Sequence, residues 1–459
     1  MIDLFFRERA REWLVGTTIL ILLSNAYLII TRNLDDNLKN HEYFRFGDFF
    51  EFFAVIALLS SVIVVFSAWK DMNLELDLGV FYSLLLLSNL GGLLVASSRS
   101  FIPLYIGYEL VSIPTYAMVA FRKKNKPTAE AAMKIFLLGA LSSAIIIYGL
   151  AMYYGATGTF NMGAPALADS QGLQLAAIAL IAAGSGFKIG LVPFHFWIPD
   201  VYSGASISVV NFLSASSKKM AFAFVFQLFF VGMRFWSDQW GILFAVLATL
   251  SVIIGNIAAV IQDRLLRIIA YSTIAQAGYI TMGIAAYAVG LENNDVDLQY
   301  NAMNGIIFHI IAHVLMKGAA IVIILIIVDS YDGDDRLENF RGLLHKDPLM
   351  GGALALSMFS LMGIPPLAGF FGKLFLFLAV VDAGLIWLAF IGVIGSAISI
   401  FYYARVIRIM VDKPTDDVKI TQFTPIKLLV LILTILTVVM AVSGDLIYDK
   451  AVKIVDGLY

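Results

Sequence analysis

One glutamate and a set of lysines and histidines stand inside stretches that are otherwise apolar. Glu109 sits in Leu104-Tyr-Ile-Gly-Tyr-Glu-Leu-Val-Ser-Ile-Pro114, and Lys188 in Ala183-Gly-Ser-Gly-Phe-Lys-Ile-Gly190. Lys218 and Lys219 follow Ser214-Ala-Ser-Ser217, and Lys373 closes Gly363-Ile-Pro-Pro-Leu-Ala-Gly-Phe-Phe-Gly-Lys373. His309, His313 and Lys317 recur at i, i+4 and i+8, which puts them on one face of a helix. That step carries three titratable groups through ~12 Å of depth. A charged group in hydrocarbon costs roughly 3 kcal/mol or more. Residues kept there at that cost face a protein interior or a wet cavity and mark an ion pathway.

The chemistry these types can do is proton transfer. Desolvation disfavours the charged form of a carboxyl or an amine, and a nearby opposite charge restores it. A buried Glu109–Lys188 pair therefore changes its proton occupancy when either partner moves. Adjacent lysines on a helix lie ~100° apart, so Lys218 and Lys219 point to different neighbours, and one of the two is expected to be a packed, hydrogen-bonded lysine. The histidine stripe reads as a proton relay or as a hydrogen-bonded seam between helices. Bis-His haem ligation and a zinc site both lack the facing ligands, because His41, His195 and His345 fall in loops or near a helix end. Cysteine is absent, which excludes disulfides, thiolate clusters and a thiol nucleophile from this chain.

The elements that must position these residues are long apolar runs. The 459 residues are 60% hydrophobic and 14% charged. Mean hydropathy is +0.87, more apolar surface than a water-soluble interior can hide. Runs of about 20 residues match the bilayer core, so the fold class is an all-α polytopic membrane protein. About 13 spans are read, at 13–31, 48–70, 77–97, 99–120, 131–154, 173–198, 207–231, 239–261, 264–289, 301–328, 349–378, 382–410 and 425–446. The run Trp13 to Ile30 is long enough to span and lacks a cleavage site.

Two spans are interrupted: 173–198 by Gly184, Gly186, Gly190 and Pro193, and 349–378 by Gly363 and the Pro365-Pro366 pair. The second lies five spans after the first, an odd number, so they run in opposite directions, which marks an inverted-repeat transporter fold. The units are 1–97 (N-terminal helices), 98–231 (first repeat, broken near 183–198), 239–410 (second repeat, broken near 363–373) and 411–459 (last helix and tail).

Basic loops set the orientation. Arg7, Arg9 and Arg11, then Arg122, Lys123, Lys124 and Lys126, then Arg264 and Arg267, then Arg405, Arg408 and Lys413 fall on one face, which is expected to be cytoplasmic. Lys450 and Lys453 lie opposite, as an exception. Lys134 is expected to snorkel, Arg405 and Arg408 to anchor a helix end, and Asp263 to pair with Arg264. The mixed-sign loop 329–348 is read as partly helical, a strap or a place for a partner.

Gly186-Phe-Lys-Ile-Gly-Leu-Val-Pro-Phe-His-Phe-Trp-Ile-Pro-Asp-Val-Tyr202 resembles the signature of the proton-translocating, antiporter-like membrane subunits of respiratory complex I. Tyr108-Glu-Leu-Val-Ser-Ile-Pro-Thr-Tyr116, Arg267-Ile-Ile-Ala-Tyr-Ser-Thr-Ile-Ala-Gln-Ala-Gly-Tyr279 and the Gly363–Lys373 segment are similar to it in the same order. The resemblance runs from about Val80 to Met410 and is nearest to the subunit N branch of NADH-quinone oxidoreductase, or its F420H2 dehydrogenase equivalent, by Lys373 and by length. The family pattern has 14 helices, one more at the N-terminus than is read here, and the His309–His313–Lys317 stripe is more polar than that branch usually shows.

The resemblance implies a translocase subunit of a quinone oxidoreductase that moves protons through Glu109, Lys188, Lys218 and Lys373, with His309, His313 and Lys317 as relay. It implies no cofactor here: NADH or F420H2, FMN, iron–sulfur clusters and quinone belong to partner subunits, among them further antiporter-like ones. The place is a cell membrane, and nucleic acid is no partner. Two other readings share the residues: a subunit of a multi-subunit cation/proton antiporter or hydrogenase relative, and a scaffold that anchors a redox complex without transport.

Overall fold

Apolar runs of this length become helices because only a helix satisfies its own backbone hydrogen bonds in hydrocarbon. The computed structural model describes residues 10–31, 42–71, 78–122 and 124–458. Arg7, Arg9, His41 and Lys123 lie outside the described residues. Among those described, helices alternate with short loops and no β-strand forms, only isolated bridges such as Phe44–Ser98.

The helices are α1 (Ala10–Thr31), α2 (Asp48–Asp71), α3 (Leu78–Ser97), α4 (Phe101–Val119), α5 (Lys126–Thr157), α6 (Gln171–Ile189), α7 (Trp197–Gly204), α8 (207–232), α9 (Ser237–Val260), α10 (Leu265–Glu292), α11 (Val296–Ser330), α12 (Pro348–Met362), α13 (Ala368–Asp382), α14 (Ile386–Val411), α15 (Thr424–Val439) and α16 (Gly444–Asp456). Among the described residues, 11 helices are long and apolar enough by themselves to cross a membrane. The two other expected spans are composite. Helix α8 carries π turns at Phe212–Ser217 and Gln227–Gly232, and α12 and α13 share one crossing.

Both interruptions form where the glycines stand. Gly190 (φ 75°) ends α6, and Gly363 (φ 87°) ends α12. A side chain at either position would be strained, since left-handed backbone costs other residues roughly 1–2 kcal/mol. The chain then turns through 191–196 or 364–367 before helix resumes. Packing repeats as well. Helix α3 lies along α4 as α9 lies along α10, and α5 lies along α6 as α11 lies along α13. Helices α8, α10 and α11 are enclosed by the others, while α1, α5 and α15 form much of the rim.

Some boundaries differ from the sequence reading. Helix α5 begins at Lys126, ahead of the expected 131, because Glu130 and Lys134 add a polar turn bonded to itself. Lys134 also reaches Asp200 at 2.6 Å, an ion pair at the membrane rim that joins α5 to the first break. The segment after α15 is a further helix rather than a tail. Helix α16 buries Ile447, Ala451, Ile454 and Val455, and Lys450 pairs with Asp48 and Glu51, both at 2.8 Å, so the exceptional lysine is neutralised on its own face. Arg264 turns to Asp335 (2.6 Å), and Asp263 pairs instead with Arg405 (3.5 Å).

Loop 329–348 folds back on its own chain. Lys346 donates to Asp416 Oδ1 (2.6 Å) and to Tyr331 Oη (2.7 Å), and Arg341 binds Asp412 (2.7 Å). The Lys346 hydrogen bond holds the Asp416 carboxyl below the usual carboxylate range. A carboxyl depressed in this way stabilises above its unfolded value and loses that effect as pH falls through its folded one. Limited proteolysis of segment 412–423 is expected to accelerate on acidification, and Asp416→Asn is expected to show the fast rate already at neutral pH. Equal cleavage of both forms at pH 7 would refute the assignment.

Candidate functional site: a buried axis of lysines and histidines

Lys188 occupies the last turn of α6 and is buried. Its Nζ donates to Ser112 Oγ at 2.9 Å and lies 5.7 and 5.4 Å from the ring centroids of Tyr108 and Tyr116. These aromatic faces and one hydroxyl stand where a carboxylate was expected. Glu109, one turn before Ser112 on α4, accepts instead from Ser143 Oγ of α5 and is half-buried. Among the described residues, Glu109 and Lys188 make no direct ion pair, so any influence between them crosses the turn that separates them.

Lys218 and Lys219 are both buried, and they point apart. A Cβ at Gly190 would lie 3.3 Å from Lys218 Nζ, which places that ammonium at the first break. Lys188 and Lys218 line one cavity of about 10 Å³ with Thr115, Tyr116 and Trp197, room for about one water. Among the described residues, Lys218 Nζ has no hydrogen-bond partner. Lys219 turns the other way. Its Nζ donates to Ser214 O (3.0 Å) and lies 2.7 Å from His313 Nδ1.

The stripe on α11 is buried throughout and meets three different elements. His313 faces Lys219 of α8. His309 Nε2 donates to Gln276 Oε1 of α10 (2.8 Å), and a Cβ at Gly372 would lie 2.9 Å from His309 Nδ1, so His309 abuts α13 beside Lys373. Lys317 donates to Ile269 O (3.0 Å) and Ser272 Oγ (2.9 Å), and Ser272 bonds Tyr403 of α14. Lys373 stands in the second turn of α13. It donates to Leu361 O (3.0 Å), Met362 O (2.8 Å) and Ser396 Oγ (2.9 Å), with its Nζ 4.9 Å from the Tyr279 ring centroid.

The order across the bundle is thus Glu109, Lys188, Lys218, Lys219, His313, His309, Lys373, with Lys317 on a branch towards α14. The sequence reading weighed both lysines but put only Lys218 on the proton path, whereas Lys219 is the residue that reaches the histidines. The signal was present: Ser208, Asn211, Ser214, Ser216, Ser217, Lys218 and Lys219 are spread around the first turns of 207–231, which leaves no wholly apolar side for lipid, so both lysines must be inside. Gln276 was quoted only as part of a motif. Among the described residues, no group of three or more His, Cys, Asp or Glu is placed to hold a metal ion.

Residues 98–399, which carry both breaks and every member of this row, match the family described as NADH:quinone oxidoreductase/Mrp antiporter, transmembrane. The chain belongs to that family. It is similar to NADH-quinone oxidoreductase subunit N of Desulforamulus reducens, 38% identical over 376 residues, 80% of this chain and 76% of the relative. It is also similar to F(420)H(2) dehydrogenase subunit N of Methanosarcina mazei, 37% identical over 380 residues, 80% and 74% of the two chains. A chain of respiratory complex I from Thermus thermophilus superposes with TM-score 0.79 at 31% identity, covering 96% of this chain and 94% of that one.

The contact between Lys219 and His313 can be weighed directly. Lys219→Met and His313→Leu are each expected to lower thermal stability in detergent. The double variant should lose less than the sum, by about 0.5–3 kcal/mol of coupling. Strictly additive losses would show that the contact carries no energy.

Proposed function

We propose that this chain is a membrane-arm, antiporter-like subunit of an NADH:quinone oxidoreductase-type complex, and that its part is to move protons with no redox centre of its own. The observation that carries the reading is the set of buried lysines and histidines that lies between two oppositely directed helix breaks. NADH or F420H2, FMN, iron–sulfur clusters and quinone then belong to partner subunits. The two relatives differ by one percentage point in identity, 38% against 37%. This chain's residues therefore leave the donor to those partners, and copurified subunits identify it.

The roles follow from placement. Glu109 is half-exposed at mid-span on the α4–α5 rim among outward Ile106, Ile113 and Leu141. A carboxyl there belongs against a neighbouring subunit, not lipid, so Glu109 senses charge arriving from that neighbour. Lys188 exchanges its proton with Lys218 through the single-water cavity. Lys219, His313 and His309 carry it across, and Lys373 delivers it at the second break. Lys317, tied to a carbonyl and a hydroxyl, holds α11 to α10 and α14.

The repeats are proposed to be 78–232 and 237–411, with 98–231 and 239–410 as their cores, since α3 pairs with α4 as α9 does with α10. Residues up to 71 and beyond 424 pack around them, and the whole is a multi-pass protein of the cell membrane.

Lys188→Ala in the assembled complex is expected to cut proton translocation by on the order of 100-fold, with coupled turnover falling alongside. Normal pumping in a correctly assembled variant would leave the chain as a scaffold. Transport of cations with no electron-transfer partner in the purified complex would make it an antiporter subunit.

A further inference from the structure

Outward loops of a membrane protein ordinarily carry few basic residues. On the face opposite the basic loops, the described residues include Arg45, Arg99, Arg234, Lys450 and Lys453. Lys450 is taken by Asp48 and Glu51. The three arginines do something different. They converge on one cavity of about 210 Å³, formed by the start of α2 and the ends of α3 and α8. Among the described residues, no Asp or Glu lines it. The acids closest along the chain are engaged elsewhere: Asp48 with Lys450 at 2.8 Å, and Asp456 with the Tyr300 hydroxyl at 2.6 Å.

Backbone hydrogen bonds fix the walls that carry these guanidiniums. Arg45 N donates to Ser97 O (2.6 Å) and Arg99 N to Tyr43 O (2.9 Å), so segments 43–45 and 97–99 lie antiparallel and move as one. Phe101 N donates to Phe160 O (3.0 Å) and Gly163 N to Gly232 O (3.1 Å), which ties the remaining walls to the first. The Arg234 guanidinium lies 4.6 Å from the Phe235 ring centroid, and a Cβ at Gly163 would lie 3.6 Å from its Nε. Burial, and after it the charge of Arg99, holds the Arg45 guanidinium below its ordinary value. Like charges gathered around a cavity repel one another, and an anion between them turns that repulsion into attraction.

Arginine's planar fork meets a phosphate through two parallel hydrogen bonds, which a lysine's point charge cannot do. The basic groups of this cavity are arginines alone, and Phe49, Phe50 and Leu458 give it apolar walls beside the charge. We propose that the cavity is a binding site for an anionic phosphate group, held by Arg45, Arg99 and Arg234. Two sources share that chemistry, the headgroup of an anionic phospholipid and free inorganic phosphate. The apolar walls suit the headgroup and its hydrocarbon neck. A phosphate held there bridges the start of α2 to the loops after α3 and α8. None of these residues belongs to the lysine–histidine row, so the site stands whether or not protons move along that row.

The test is protection of the arginines in the assembled complex, purified in a detergent that strips its lipid. Phenylglyoxal modifies guanidinium groups, and the modified peptides of this chain are read by mass. Dioleoyl phosphatidylglycerol, dioleoyl phosphatidylcholine and inorganic phosphate are added one at a time. Phosphatidylglycerol or phosphate should slow modification of Arg99 and Arg234 about tenfold once it stands at roughly ten times its Kd. Arg336, exposed on the basic face, should react at an unchanged rate. Protection by phosphatidylglycerol assigns the site to a lipid headgroup, and protection by phosphate alone assigns it to the free anion. Either supports the proposal.

Arg99→Gln should abolish the protection of Arg234, together with the rise in unfolding temperature that the ligand gives the unsubstituted complex. Lys453→Gln, on the same face but outside the cavity, should keep both. Should Arg99→Gln fail to assemble, protection in the unsubstituted complex decides by itself. Equal rates with and without phosphatidylglycerol and phosphate would overturn the proposal, the result that an acid of the chain itself or of a partner seated in the cavity would give. Protection by phosphatidylcholine equal to that by phosphatidylglycerol would also overturn it, because the anionic charge would then play no part.

Discussion

Five lysines are enclosed in this bundle, and among the described residues none of them is paired with an acid. That constraint shapes the rest. An ammonium taken out of water must recover its hydration from fixed dipoles. Lys373 does so with two carbonyls and a hydroxyl, Lys317 with a carbonyl and a hydroxyl, and Lys219 with a carbonyl and an imidazole. Neutral partners leave each lysine free to be charged or uncharged without stranding a carboxylate. A row of tight ion pairs would lock every proton in place.

The helix breaks supply some of those dipoles, and the two differ chemically. At the second, Gly363 ends α12, and the carbonyls of Leu361 and Met362 at that end turn to Lys373, across the gap on α13. At the first, the carbonyl of Phe187 is taken by Trp197 Nε1 at 2.9 Å, so Lys188, before the gap, relies on Ser112 and two aromatic faces. The lysine precedes one break and follows the other. The sequence echo is real as backbone geometry and incomplete as ligation.

Much of this was legible beforehand because hydrocarbon permits so few structures. Run length and glycine placement were enough for α1 to α6, for both gaps and for the face shared by His309, His313 and Lys317. What escaped depended on which neighbour a side chain meets. Glu109 turning to Ser143, Arg264 choosing Asp335 over Asp263, and Lys219 reaching His313 are settled by the angle at which helices pack, which periodicity within one helix does not encode. The amphipathic α16 was hidden because its apolar positions ran on from the preceding span.

Helix α11 is gripped at both ends. At one, Ser330 and Tyr331 bond Thr421 and Asp416 of the segment before α15. At the other, Tyr300 donates to Asp456 of α16, itself pinned to α2 through Lys450. A rod tied at top and bottom must break those ties before it can slide like a piston or swing like a lever. Rotamer flips and reshuffled hydrogens at its middle break none of them, and so are the cheaper way for a signal to cross.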